Sequence, residues 1–139
     1  MKTTLAKINI SDVKLEAKVS SVLRNTGVPM HVRGYEYLKL GILKAVRNRE
    51  YLSELTTKLY PDVAAETHTK GTRVERNMRH AIDIAWTRVT EPSVLDKQVE
   101  LFPSLGKYKP TNGHFIACIA EHIRMQVLEE AESEEPTAV

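Results

Sequence analysis

The stretch GTRVERNMRHAIDIAW, Gly71 to Trp86, decides how this chain is read. At about 100° per residue, a helix here puts Val74, Met78, Ala81, Ile82 and Ala85 on one face. Arg73, Glu75, Arg76, Asn77, Arg79, His80 and Asp83 sweep the other face. The division predicts an amphipathic helix over 72–87 with an apolar stripe for a core. Two readings of its polar face stay open. Glu75 and Arg79 are four apart and can form an ordinary surface pair worth ~0.2–0.5 kcal/mol. Alternatively, the face reads DNA. An arginine fork can donate two hydrogen bonds to guanine O6 and N7, and a glutamate can accept from cytosine N4. A carboxylate beside phosphates is otherwise a poor choice, because it repels them.

Upstream, LYPDVAAETHTKG predicts a short helix of small residues and a turn. Pro61 is tolerated at a first helical position, and Asp62 suits a helix N-terminus. Short helix, turn and long helix together have the sequence form of a helix-turn-helix, with a turn slightly longer than the usual three or four residues. In that motif the first residues of the second helix meet base edges in the major groove. Here these are Arg73, Glu75, Arg76 and Arg79.

The rest of the chain is also helical in period. Ser11 or Asp12 can cap a first helix carrying Leu15, Val19, Val22 and Leu23, which Gly27 and Pro29 end. A second helix runs from Gly34 to Arg47. A third begins near Glu50 and carries Leu52, Leu55 and Leu59. A short helix spans Ser93 to Leu101, GKYKPTN forms a loop, and a last helix runs from Thr111 to Glu129. No segment alternates as a strand would. The expected organisation is an extension over 1–11, one all-α domain over 12–128 and an acidic, disordered tail over 129–139.

The chain has 139 residues, 42% hydrophobic and 27% charged, which suits one soluble domain with one core. The net charge of +2 hides an asymmetry. Five of the 18 acidic residues lie after Arg124, at Glu129, Glu130, Glu132, Glu134 and Glu135. Residues 1–128 therefore hold 20 basic against 13 acidic residues, a body of +7 that suits a polyanion. The acidic tail is read as solvated, or more sharply as a competitor with DNA for the basic surface. A single cysteine, Cys118, excludes an internal disulfide and fits a cytoplasmic, nucleoid-associated protein. The five histidines show no metal-ligand spacing, so no metal or other cofactor is expected. Neither a nucleophile–base constellation nor a phosphate-cradling glycine loop is visible, so no enzyme is expected. Trp86 and Cys118 are read as core residues.

GVPMHVRGYEYL, LYPDVA, TRVERNMRHAIDIAW and KPTNGHFIACIAEHIR resemble the DNA-binding domain of the response regulators that initiate sporulation, the stage zero sporulation protein A family. The resemblance covers roughly residues 12–127. It implies a compact six-helix, all-α domain with an embedded helix-turn-helix that reads a short G-T-C-G-A-like box. Carried over, Arg76 bonds a guanine and Glu75 a cytosine, with Arg73 and Arg79 in support. His80 matches a histidine that approaches the DNA backbone. Lys70, Thr72, Lys107 and Lys109 are further expected phosphate contacts, the two loop lysines on charge and position alone. Double-stranded DNA is the implied partner. RNA polymerase, a full-length sporulation regulator and a homodimer on tandem boxes are additional candidates, and no membrane is involved. Full-length members also carry a phosphorylatable receiver. The stretch before the first helix is too short for one, so the expectation is a stand-alone domain. The alternative function is an interaction module that pairs with a full-length regulator or blocks its boxes.

Overall fold

The computed structural model describes residues 10–106 and 108–134. Within them the chain forms six α-helices and no strand: α1 (Asp12–Asn25), α2 (Arg33–Arg47), α3 (Tyr60–Glu66), α4 (Gly71–Thr87), α5 (Pro92–Leu101) and α6 (Asn112–Glu134). Their boundaries follow local chemistry. The Ser11 side chain accepts the Lys14 N–H and caps α1. At its other end Gly27, at φ 92°, takes the left-handed position, with Val28 N–H bonded to Leu23 O and Gly27 N–H to Arg24 O. The Thr111 hydroxyl accepts the His114 N–H and starts α6. No described helix is long and apolar enough to cross a membrane.

Two segments differ from expectation. The region from Glu50 to Leu59 is not a third α-helix. It is a 3-10 turn over Arg49–Ser53 followed by a wider, π-type turn over Leu55–Leu59 that runs into α3. Pro61 explains part of this: it has no N–H to give Thr57 O, so an α-helical ladder cannot pass unbroken into α3. The Tyr51 hydroxyl donates to Asp62 across 2.6 Å and holds the 3-10 turn on α3, which pushes the phenol up to about 12. The second difference is the acidic end. The tail expected to be disordered from residue 129 instead continues α6 to Glu134, while residues 135–139 lie outside the described residues. Val127 is buried below this end, and Lys18 of α1 pairs with Glu130 at 2.6 Å. Of the expected extension, Ile10 packs on the core and its carbonyl accepts from Arg47, while residues 1–9 lie outside the description.

Helix α2 is the centre of the domain, with α4 packed on one side, α6 on another and α1 on a third. Leu38, Ile42, Ala45 and Val46 supply its core positions, and Tyr35 and Tyr37 are buried with them. Fully burying each large apolar side chain stabilises the fold by about 1.5–3 kcal/mol. Arg124 of α6, only 7% exposed, donates to Ala45 O and Val46 O and so satisfies the last carbonyls of α2. Gln98, 4% exposed, does the same for two helices at once. Its amide donates to Thr26 O beyond α1 and to Ala85 O near the end of α4, both at 2.9 Å. Trp86, Phe102 and Phe115 form an edge-on and stacked cluster with centroids 5.3–5.9 Å apart. The Trp86 anchor expected from sequence is therefore present, although the ring is only partly buried. Cys118 is likewise only partly buried against the core, and burial pushes its thiol up.

The crossing of α2 on α4 is tight at Gly34. A Cβ there would stand 2.1 Å from Asn77 O and 2.6 Å from Ala81 Cβ. At Gly41, two turns further along α2, the nearest atom to an added Cβ would be the flexible end of Met78 at 3.1 Å, with Leu59 and Ile116 at ordinary contact distance. Gly34→Ala should therefore destabilise the domain by about 2–3 kcal/mol, and Gly41→Ala by under about 1 kcal/mol. Urea unfolding of both variants checks this. Equal midpoints would show that the α2–α4 approach is not the constraint.

Candidate nucleic-acid interface

Helix α4 is built from its buried stripe outward. Val74, Met78, Ala81, Ile82 and Ala85 are 0–1% exposed, as their spacing requires. The first turns of the face turned away from that stripe are exposed among the described residues. Thr72, Arg73, Arg76, Arg79 and His80 are all exposed. On the wheel Arg76 stands near the middle of the free face. Arg73 lies about 60° to one side of it, and Arg79 about 60° to the other. The three guanidiniums form a stripe that climbs about 4.5 Å per step. Glu75, about one-third exposed, pairs with Arg79 at 3.4 Å. An i,i+4 pair of this kind holds the two side chains ready and is cheap to open, at about 0.2–0.5 kcal/mol. The structure thus brings Arg73, Glu75, Arg76 and Arg79 to one surface.

Four residues, Thr67 to Lys70, join α3 to α4, so the connection is not longer than a helix-turn-helix ordinarily uses. His68 takes its left-handed position at φ 57°, where glycine or asparagine is usual. Thr69 N–H closes the motif on Ala64 O. Lys70 is the exposed cap residue of α4 and provides no side-chain cap. It borders a shallow cavity of about 460 Å³ with Tyr60, Gly71, Thr72 and Glu75.

The loop before α6 reaches the same helix. Lys109 pairs with Asp83 of α4 at 2.8 Å, and this hydrogen bond, more than any other effect, holds the Asp83 carboxyl below its usual range. Lys109 is thus next to α4, but its ammonium already has a partner. Lys107 lies outside the described residues. Asn112, 8% exposed, donates from its amide to Glu75 O and to the Tyr60 hydroxyl, tying α6 to the first turns of α4. Its carbonyl oxygen is buried without a partner among the described residues. The acidic end of α6 points elsewhere: Glu130 sits on α1, about 27 Å along the helix from Asn112. That placement gives no support to competition between Glu130 and DNA at α4. No group of three or more His, Cys, Asp or Glu side chains among the described residues is arranged for a metal.

Two residues beside α4 escaped the sequence reading, Arg33 and His68. Both line a cleft with Lys70 and Arg73. Neither belongs to an amphipathic pattern, and only the tertiary approach of α2 brings Arg33 close.

A small all-α domain that offers one arginine-striped helix behind a short helix and a four-residue turn defines a class, the helical DNA-binding regulatory domains. Residues 19–123 match the family described as sporulation initiation factor Spo0A C terminal. The chain belongs to that family, whose members are DNA-binding effector domains of transcription regulation in sporulation.

Two measurements test this geometry. His68→Gly should raise stability by about 0.5–1 kcal/mol, because glycine takes a positive φ without steric cost; a lower melting temperature would refute the strain. The second concerns pH. A carboxyl depressed by Lys109 keeps its contact above the ordinary carboxylate range and loses it as pH falls through its own lower midpoint. Carbon NMR of Asp83 should therefore give a midpoint below that range, and Lys109→Met should raise it. An unmoved midpoint would mean that the pair does not form in solution.

Proposed function

We propose that the chain is a sequence-specific regulator that reads a short G-T-C-G-A-like box through the major groove with α4. The observation that carries the reading is the stripe of Arg73, Arg76 and Arg79 on the uncovered face, with Glu75 beside it. A purely solvated face would need no such stripe. Arg76, nearest the middle of the face, donates to guanine O6 and N7. Glu75 accepts from a cytosine amine, and Arg79, already its neighbour, orients it and adds a contact. Arg73 lies at the edge of the face, within reach of base or backbone. Thr72, Lys70, His80, Lys107 and Lys109 serve the phosphates, which makes binding strongly salt-dependent. Glu75 contributes discrimination more than affinity, since a duplex without the cytosine amine meets an unpaired carboxylate.

Arg76→Ala should weaken binding to the box by about 1–3 kcal/mol and relax selection at one G·C pair. A gel shift on a G-T-C-G-A duplex and on a scrambled duplex checks both effects. Wild-type affinity in the variant would remove the assigned role. A wild-type chain that shifts neither duplex would point instead to the interaction-module reading, in which a full-length regulator is the partner.

A further inference from the structure

A cleft of about 610 Å³ opens beside the start of α4, between the first turn of α2 and the connection from α3. Its walls carry Arg33 and Tyr37 from α2, His68 from the connection, Lys70 at the cap of α4 and Arg73 in its first turn. Three permanent cations and an imidazole therefore converge from three separate pieces of chain. Arg33, Lys70 and Arg73 are exposed, and none forms an ion pair with a described residue. The acidic residues close to them in sequence are engaged elsewhere, Glu36 of α2 with Lys39, Glu66 of α3 with Lys44 and Glu75 of α4 with Arg79. Tyr37, only 3% exposed, lines the cleft, and its hydroxyl makes no hydrogen bond to a described residue. Every polar group around this opening is a donor or can act as one, and the charge is of one sign. The complementary ligand is a compact, multiply accepting anion.

We propose that this cleft seats a backbone phosphate of the DNA duplex, on the flank of the box adjoining Arg73. The proposal rests on α4 lying in the DNA groove, as above, and adds a grip that α4 alone does not provide. Arg33 and Arg73 approach the phosphate from opposite walls, Lys70 contributes a third positive charge, and His68 donates a ring N–H, which either protonation state of an imidazole has. The side chain of Arg73 is thereby assigned to the backbone. Base reading stays with Glu75, Arg76 and Arg79. The division fits the helix, because Arg76 is about 60° round and about 4.5 Å along from Arg73. One arginine can meet a base edge while the other holds a neighbouring phosphate. The cleft also sets register, since its α2 wall is fixed to α4 by the close approach at Gly34.

The test uses the full chain, anisotropy binding to box and scrambled duplexes across a salt series, and box duplexes in which single phosphates are replaced by neutral methylphosphonates. Arg33→Ala should weaken binding to both duplexes by a similar factor, several-fold at moderate salt, and reduce the slope of log K against log salt by about 0.9. One methylphosphonate position should weaken the wild-type chain clearly more than the Arg33→Ala variant, and all other positions should weaken both alike. His68→Gly, whose backbone geometry suits that position, should act in the same direction and more weakly. Circular dichroism establishes that both variants are folded. Unchanged affinity and slope in Arg33→Ala overturn the proposal. So does saturable binding of inorganic phosphate, seen by NMR at Arg33 and His68, in a chain whose Arg33→Ala variant keeps full DNA affinity, since the cleft would then serve a free anion. The two levels fail separately. If Arg76→Ala loses base preference while Arg33→Ala binds normally, only the cleft is lost. If the wild-type chain binds both duplexes equally but Arg33→Ala still weakens it, only the base reading is lost.

Discussion

The close approach of α2 to α4 at Gly34 is the constraint on which the rest of the molecule depends. A helix presents an organised surface only if it is held at a defined height and rotation. Here the backbone carbonyl of Asn77 sits where any side chain at position 34 would begin. That contact sets the rotation of α4 about its own axis, and hence which residues face outward. It also brings Arg33, the residue beside the glycine, to the flank of α4. Packing and electrostatics are therefore set by the same crossing. The helix can carry four cationic or imidazole side chains on its free face because its other face is sealed by Val74, Met78, Ala81, Ile82 and Ala85.

The supports of α4 differ in chemistry along its length. Near its start, Asn112 donates to Glu75 O and Tyr60. In its last third, Lys109 meets Asp83 on the outer face. Near its end, Gln98 takes Ala85 O. The Gln98 contact is buried, and losing it leaves the Ala85 carbonyl without that donor at a cost of about 1–3 kcal/mol, whereas Asn112 adds a second donor to a carbonyl within the helix. The Asp83 pair is solvent-exposed and therefore screened by salt. The helix is thus held at its centre by the crossing of α2 at Asn77 and Ala81, with side-chain amides adding contacts nearer its two ends. Such anchoring lets side chains on the outer face work from a fixed frame, so that little ordering remains to be done when a ligand arrives.

Much of this was legible in the sequence, for identifiable reasons. The 3.6-residue period of residues 74–85 needs no tertiary information, and the arginine spacing follows from it. Helix ends at Ser11, Gly27 and Thr111 were legible because caps are local chemistry. The segment from Glu50 to Leu59 misled, because Leu52, Leu55 and Leu59 keep a helical spacing that a 3-10 turn and a wider turn can also bury. Periodicity alone cannot separate those cases; the missing N–H of Pro61 was the available signal. The length of α6 was underestimated because its last turns are polar. Their helicity rests on Val127 and on the Lys18–Glu130 pair, a contact between residues 112 apart in sequence. The same limit hid Arg33 and His68, whose relevance lies in what stands opposite them.

His68 connects the strain in the backbone with the charge on the surface. A left-handed residue at a helix end is satisfied most cheaply by glycine, and a histidine there costs stability without gaining a buried contact, since the side chain is exposed. Local backbone economy therefore does not account for the residue. The alternative is that the ring is placed for what it can touch. The turn at φ 57° projects it into an opening already bordered by Lys70, Arg33 and Arg73. A chain that accepts a strained turn beside three cations that pair with no described residue has two unfavourable features in one place. A single anionic ligand would offset both.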